Sequence, residues 1–90
     1  MQKSKLIEQL KRHEGVKSHV YLDMHGLEHI ACGRNISKNG LGLSEEEIEY
    51  LLNNDINRTI EELSHYAWFK QMPDGPRKDA IVNIHFNLGQ

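Results

Sequence analysis

Between residues 3 and 14 the apolar positions fall at Leu6, Ile7 and Leu10 within a run of Lys, Gln, Glu and Arg, the spacing of three and four that marks one helical face. It predicts a helix over residues 3–14, with Ser4 as its N-cap and Gly15, which tolerates positive φ, as its stop. From Val16 to Asn35 the period shortens. "HVYLD", "GLEHI" and "ACGRN" are brief, carry β-branched and aromatic residues, and are broken by Gly26 and Gly33, a pattern that predicts a small antiparallel sheet with tight turns. "SKNGLG" reads as a polar loop with a turn at Asn39-Gly40. Ser44 and Glu47 have the spacing of a capping box, and Ile48, Leu51, Leu52, Ile56, Ile60 and Leu63 follow at helical intervals, so one helix is predicted from about Glu45 to Ser64. At 1.5 Å per residue it extends roughly 30 Å, about the width of a small domain, which predicts a span between two lobes. "HYAWFKQMPDGP" holds a short apolar turn in which Trp68 and Phe69 read as core. Pro76 then opens a last helix with Ala80, Ile81, Ile84 and Leu88 on one stripe, widened by Val82 and Phe86. Its His85 is expected at the exposed edge.

Composition narrows the class. Ninety residues, 38% hydrophobic and 27% charged, suit one small domain with a modest core. A formal charge of −2 gives no electrostatic reason to expect nucleic acid or an anionic membrane as partner. Cys32 is the single cysteine, so no internal disulfide can form; it is expected as a small buried hydrophobe, in a protein made in a reducing compartment. The amphipathic start and the short apolar runs elsewhere predict neither a signal peptide nor a membrane span. His19, His25, His29, Asp23 and Cys32 are ligand types that zinc accepts, but their spacing closes no recognised site, so neither a metal nor a cofactor is expected.

Glu14 is the unusual residue. It shares the stripe of Ile7 and Leu10 at the last turn, where the helix dipole repels a carboxylate and partial burial disfavours its charge; both effects would push its pKa up. Nine residues on, in or beside the first predicted strand, comes Asp23. A protonated acid facing an ionised carboxylate in a wetter place is the arrangement that cleaves glycosidic bonds. The spacing alone also fits an ordinary turn aspartate before Gly26.

Taken together, "LIEQLKRHEGVKSHVYLDMHGLEHIACGRN", "GLSEEEIEYLLNNDI" and "RKDAIVNIHFNLGQ" resemble the phage-type lysozymes, or endolysins. The most specific part is the ordered series Glu14-Gly15, Tyr21, Asp23, Gly26, Gly33 and Phe86-Asn87-Leu88-Gly89. The resemblance implies an α+β, lysozyme-like fold: an N-terminal helix plus small antiparallel sheet as one lobe (residues 1–43), a bridging helix (44–64) and the start of an all-helical second lobe (65–90). It implies hydrolysis of the β-1,4 bond between N-acetylmuramic acid and N-acetylglucosamine in peptidoglycan. Glu14 would be the general acid and Asp23 the carboxylate that positions or activates water, with Asn35 and Phe86 lining the sugar cleft.

Two departures stand out. His29 occupies the position, within "EHIACG", where the family usually has a threonine that helps hold the water, and Ala31 replaces a usual glycine. Imidazole can accept a proton near neutral pH or attack a sugar cation, whereas a hydroxyl chiefly orients water. His29 could therefore act as general base beside Asp23, divert the reaction through a covalent intermediate, or block the water; impaired or altered hydrolysis is expected. The resemblance also implies helices beyond "FNLGQ", so the chain reads as C-terminally truncated. Ile81, Ile84 and Leu88 would then lack packing, and completion by another chain or self-association through the last helix is expected. The expected setting is the host cytoplasm, with periplasmic peptidoglycan reached after a separate permeabilising protein acts. The alternative is a non-catalytic remnant that binds glycan or a partner.

Overall fold

Gly15 ends the first helix as its composition dictates: at φ +76° it turns the chain, and its N–H is donated to the Lys11 carbonyl at 3.0 Å. In the computed structural model, which describes residues 2–89, helix α1 spans Lys3–Glu14. Lys11, Arg12 and His13 in its last turn complement the negative helix end. Ser4 is not the cap; it lies inside the helix, whose N-cap is Gln2, two positions earlier, with no side-chain cap bond.

Three antiparallel strands follow in the order β1 (Lys17–Leu22), β2 (Glu28–Ala31) and β3 (Arg34–Asn35). β1 carries an irregularity between Lys17 and Tyr21, after which Tyr21 pairs with His29 and His29 pairs with Asn35. Three side chains far apart in sequence thus stand in one row across the sheet. The β2–β3 connection is so tight that Ala31 takes φ +62°, followed by Gly33 at φ +89°. The left-handed backbone is what a glycine would accept without a Cβ penalty.

The loop after β3 is fastened to it. Ser37 Oγ accepts the Glu28 N–H at 2.7 Å, Asn35 Oδ1 accepts the Ser37 N–H at 2.9 Å, and the Gly40 N–H closes a turn onto the Ser37 carbonyl at 2.8 Å. Gly40 presses against Asn35, where a Cβ would stand 2.7 Å from the Asn35 carbonyl oxygen.

The chain divides into two compact units, the first ending at Leu43 and the second beginning at Ser44. The second opens with the capping box: Ser44 Oγ accepts the Glu47 N–H at 3.2 Å, and Glu47 Oε1 accepts the Ser44 N–H at 2.9 Å. It comprises α2 (Glu45–Leu63), α3 (Ala67–Gln71) and α4 (Pro76–Leu88), with α4 packed on α2. Among the described residues its buried centre is Thr59, Leu63 and Phe69. Phe69 is 2% exposed, meets Trp68 edge-on at 6.1 Å, and lies under the Lys78 ammonium 4.7 Å from its ring centroid.

Trp68, expected as core, is instead 51% exposed; in the short α3 it lies about 100° around the helix axis from Phe69, which takes the buried face. His85 is half-buried and meets Glu62 of α2 at 2.9 Å, in place of the free edge expected. Ile84 and Leu88 on the same helix remain exposed. No described helix is long and apolar enough to cross a membrane.

Candidate active site

Asp23 sits where β1 meets the turn to β2, and the turn fixes its carboxylate. Its Oδ1 accepts the backbone N–H groups of His25 at 2.8 Å and Leu27 at 2.9 Å, while its own backbone closes onto Leu27 and Gly26. An ionised carboxylate offers about four lone-pair directions, so Oδ1 is fully used. Oδ2 is met by His29 Nε2 at 2.9 Å, which leaves one acceptor direction on Oδ2 for water. The amide bonds, that of Leu27 first, and the His29 partner hold the Asp23 carboxyl below its ordinary pKa of 3.8. Asp23 is thus a turn aspartate before Gly26 whose second carboxylate oxygen also meets a histidine.

His29 lies at the centre of the row across the sheet. Its ring stacks on Tyr21, with centroids 5.7 Å apart and planes 26° from parallel. Nε2 faces Asp23 Oδ2, and Nδ1 stands 3.2 Å from the Gly33 carbonyl oxygen. Neither partner can donate. Both ring nitrogens must carry hydrogen to satisfy both contacts, so this geometry is that of an imidazolium. The Asp23 contact, and after it the Gly33 carbonyl, raise the His29 pKa above 6.5. The side chains are only 17% and 29% exposed for His29 and Asp23, so the pair is partly shielded from solvent screening.

Glu14 reaches the same turn from the end of α1. Its Oε2 lies 3.5 Å from where a Cβ on Gly33 would stand, so Glu14 and the imidazole both border this one glycine. Glu14 is exposed, against the half-buried position expected of it, because Leu6, Ile7 and Leu10 on the same stripe are themselves 38–45% exposed and build no apolar wall around it.

Asn35 is beside His29 on β3, half-buried, with Oδ1 committed to Ser37 and its backbone carbonyl to the Gly42 N–H at 3.0 Å. Phe86 belongs to the second unit, where it lines a groove of about 350 Å³ with Leu52, Ile56, Ile60 and Val82. Cys32 is exposed in the β2–β3 turn, not a buried hydrophobe, because the turn lifts it off the sheet. Among the described residues no three His, Cys, Asp or Glu side chains are grouped to hold a metal ion. Two parts of the site escape sequence reasoning: the Gly33 carbonyl, which is backbone, and the stacking role of Tyr21, whose only sequence signal is its aromatic character.

An N-terminal helix, a small antiparallel sheet and further helices make an α+β architecture with a lysozyme-like order of elements. The family model for phage lysozyme matches residues 11–90, and the chain belongs to that family. Lysozyme function in general terms, with peptidoglycan as the substrate, follows from this membership. No curated protein matches the chain.

Proposed function

We propose that the protein hydrolyses the β-1,4 bond between N-acetylmuramic acid and N-acetylglucosamine, with Glu14 as general acid and Asp23, together with His29, handling the water. Glu14 gives its proton to the bridging oxygen as that bond breaks. Water held at the open face of the Asp23–His29 pair adds to the anomeric carbon. Asn35, beside His29, serves as a sugar contact. The observation that carries the reading is the meeting of Glu14 and the Asp23–His29 pair at Gly33, with Oε2 3.5 Å from its Cβ position on one side and Nδ1 3.2 Å from its carbonyl on the other.

The test is digestion of purified peptidoglycan, followed by turbidity and by reducing ends. The wild-type chain should release N-acetylmuramic acid reducing ends, and Glu14→Gln should lower the rate by about 10²–10⁴-fold, the contribution of a positioned general acid. Glu14→Gln cleaving within threefold of wild type would remove Glu14 from the mechanism. Glycan binding without reducing-end release would establish the non-catalytic alternative.

A further inference from the structure

We infer that the base which takes the proton from the attacking water is Nδ1 of His29, with Asp23 acting as the carboxylate that orients the imidazole through Nε2. This rests on the hydrolytic reading above and divides the labour within it.

Two groups, the Asp23 carboxylate and the His29 imidazole, compete for the role of base. Asp23 is poorly suited: three of its four acceptor directions are engaged, and a carboxylate held below its ordinary pKa has little tendency to take a proton near neutrality. An imidazole with a carboxylate behind one nitrogen and a lone pair on the other is a far better base there. His29 has that carboxylate, at 2.9 Å from Nε2.

What the resting geometry lacks is the lone pair, because Nδ1–H is given to Gly33. Loss of one proton decides the matter. A neutral ring can keep only one of its two contacts as a hydrogen bond. The bond to the ionised Asp23 is charge-assisted, roughly twice as strong as one to a neutral carbonyl, and is the shorter of the two at 2.9 Å against 3.2 Å. Nε2–H···Asp23 therefore survives. Nδ1 then presents a lone pair to the Gly33 oxygen; the two repel, the contact opens, and a water can enter with its proton directed at Nδ1. Among the described residues, Tyr21 stacks on the ring from β1 and Glu14 lies across Gly33 from α1. Arg34, on β3, has the opposite strand parity to Asn35 and donates to the Gly42 carbonyl at 3.2 Å.

The step balances without another reagent. The Glu14 proton goes to the bridging oxygen, which leaves with the electron pair of the broken C1–O bond. Water oxygen forms the new C1–O bond while its proton passes to Nδ1, so Glu14 ends ionised and His29 protonated, and exchange with solvent resets both. One displacement means inverted anomeric configuration.

Nitrogen-15 NMR of the imidazole in the intact chain, titrated with pH, reads the tautomer without substrate. Nδ1 is expected to lose its proton and Nε2 to keep it; a neutral ring protonated at Nδ1 overturns the inference whatever the activity. On peptidoglycan, the wild-type rate should climb as pH rises through the His29 pKa. His29→Gln, which keeps a donor for Asp23 but no titrating base, should lose that limb and about 10²–10⁴-fold in kcat with little change in KM. A variant with the wild-type rate and limb, or a product of retained configuration, overturns the base role alone. Absence of hydrolysis by the wild-type chain overturns the functional reading as well.

Discussion

Gly40 lies outside the site, yet a single methyl group there should disturb it. A Cβ at this position would stand 2.5 Å from Asn35 Cγ and 2.7 Å from the Asn35 carbonyl oxygen, and closer still to Oδ1. The side-chain amide could swing away at the cost of its bond to Ser37. The carbonyl cannot, because it is backbone and accepts the Gly42 N–H. Bringing that oxygen to an ordinary 3.4 Å requires a displacement of about 0.7 Å in a strand only two residues long. Overpacking of this kind costs roughly 1–3 kcal/mol, while the alanine recovers about 0.4–1 kcal/mol by restricting the unfolded chain. The clash wins, leaving a net loss of about 1–2 kcal/mol, or a fall in Tm of about 4–16 °C for a chain this short. Since Asn35 pairs directly with His29, the displacement should also loosen the imidazole from Asp23. Thermal unfolding of Gly40→Ala by circular dichroism, with the His29 titration followed by NMR, measures both effects. A Tm within about 2 °C of wild type, with the His29 titration unmoved, would show that β3 yields freely and that the reasoning is wrong.

Ala31→Gly should stabilise the fold: relief of the left-handed backbone at φ +62°, about 1–2 kcal/mol, exceeds the roughly 0.4–1 kcal/mol of added chain entropy, and a Tm that falls would contradict it. Phe69→Ala should cost about 3–5 kcal/mol, a large part of the usual 5–15 kcal/mol margin, as read by the urea midpoint; a loss under 1 kcal/mol would show that Phe69 is not the centre of the second unit. The Asp23–His29 pair should make stability depend on pH. His29, with its folded pKa raised above 6.5, contributes fully below that value and loses its contribution as pH rises through the folded pKa. Asp23, lowered from 3.8, contributes fully above that value and fades as pH falls through its folded pKa. Between about pH 4 and 6.5 both act, and the difference in unfolding free energy between wild type and His29→Gln should be largest there; a difference flat from pH 3 to 9 would dismiss the pair.

The elements were legible wherever their causes are local. The stop at Gly15, the Ser44–Glu47 capping box and the Pro76 helix start each depend on contacts within a few residues, and each lies where the spacing puts it. The choice of Gln2 over Ser4 as cap shows the limit: without a side-chain bond to mark it, the boundary carries no signature in the residues. Glu14, Asp23 and His29 could be singled out by residue type and order, and through the ordered series shared with the phage lysozymes. Their grouping at Gly33 could not, because it depends on strand register and on a backbone carbonyl.

By itself, then, the sequence determined the order of the main helices and the small sheet and the residue types available for chemistry, since helical period, caps and turns act over short stretches of chain. Only the tertiary structure decided which side chains face solvent and which ring nitrogen meets which acceptor. The exposure of Glu14, Trp68 and Cys32, the pairing of His85 with Glu62, and the double engagement of His29 all depend on what lies opposite in space. Burial and hydrogen bonding are relations between segments, and no single segment encodes its partner.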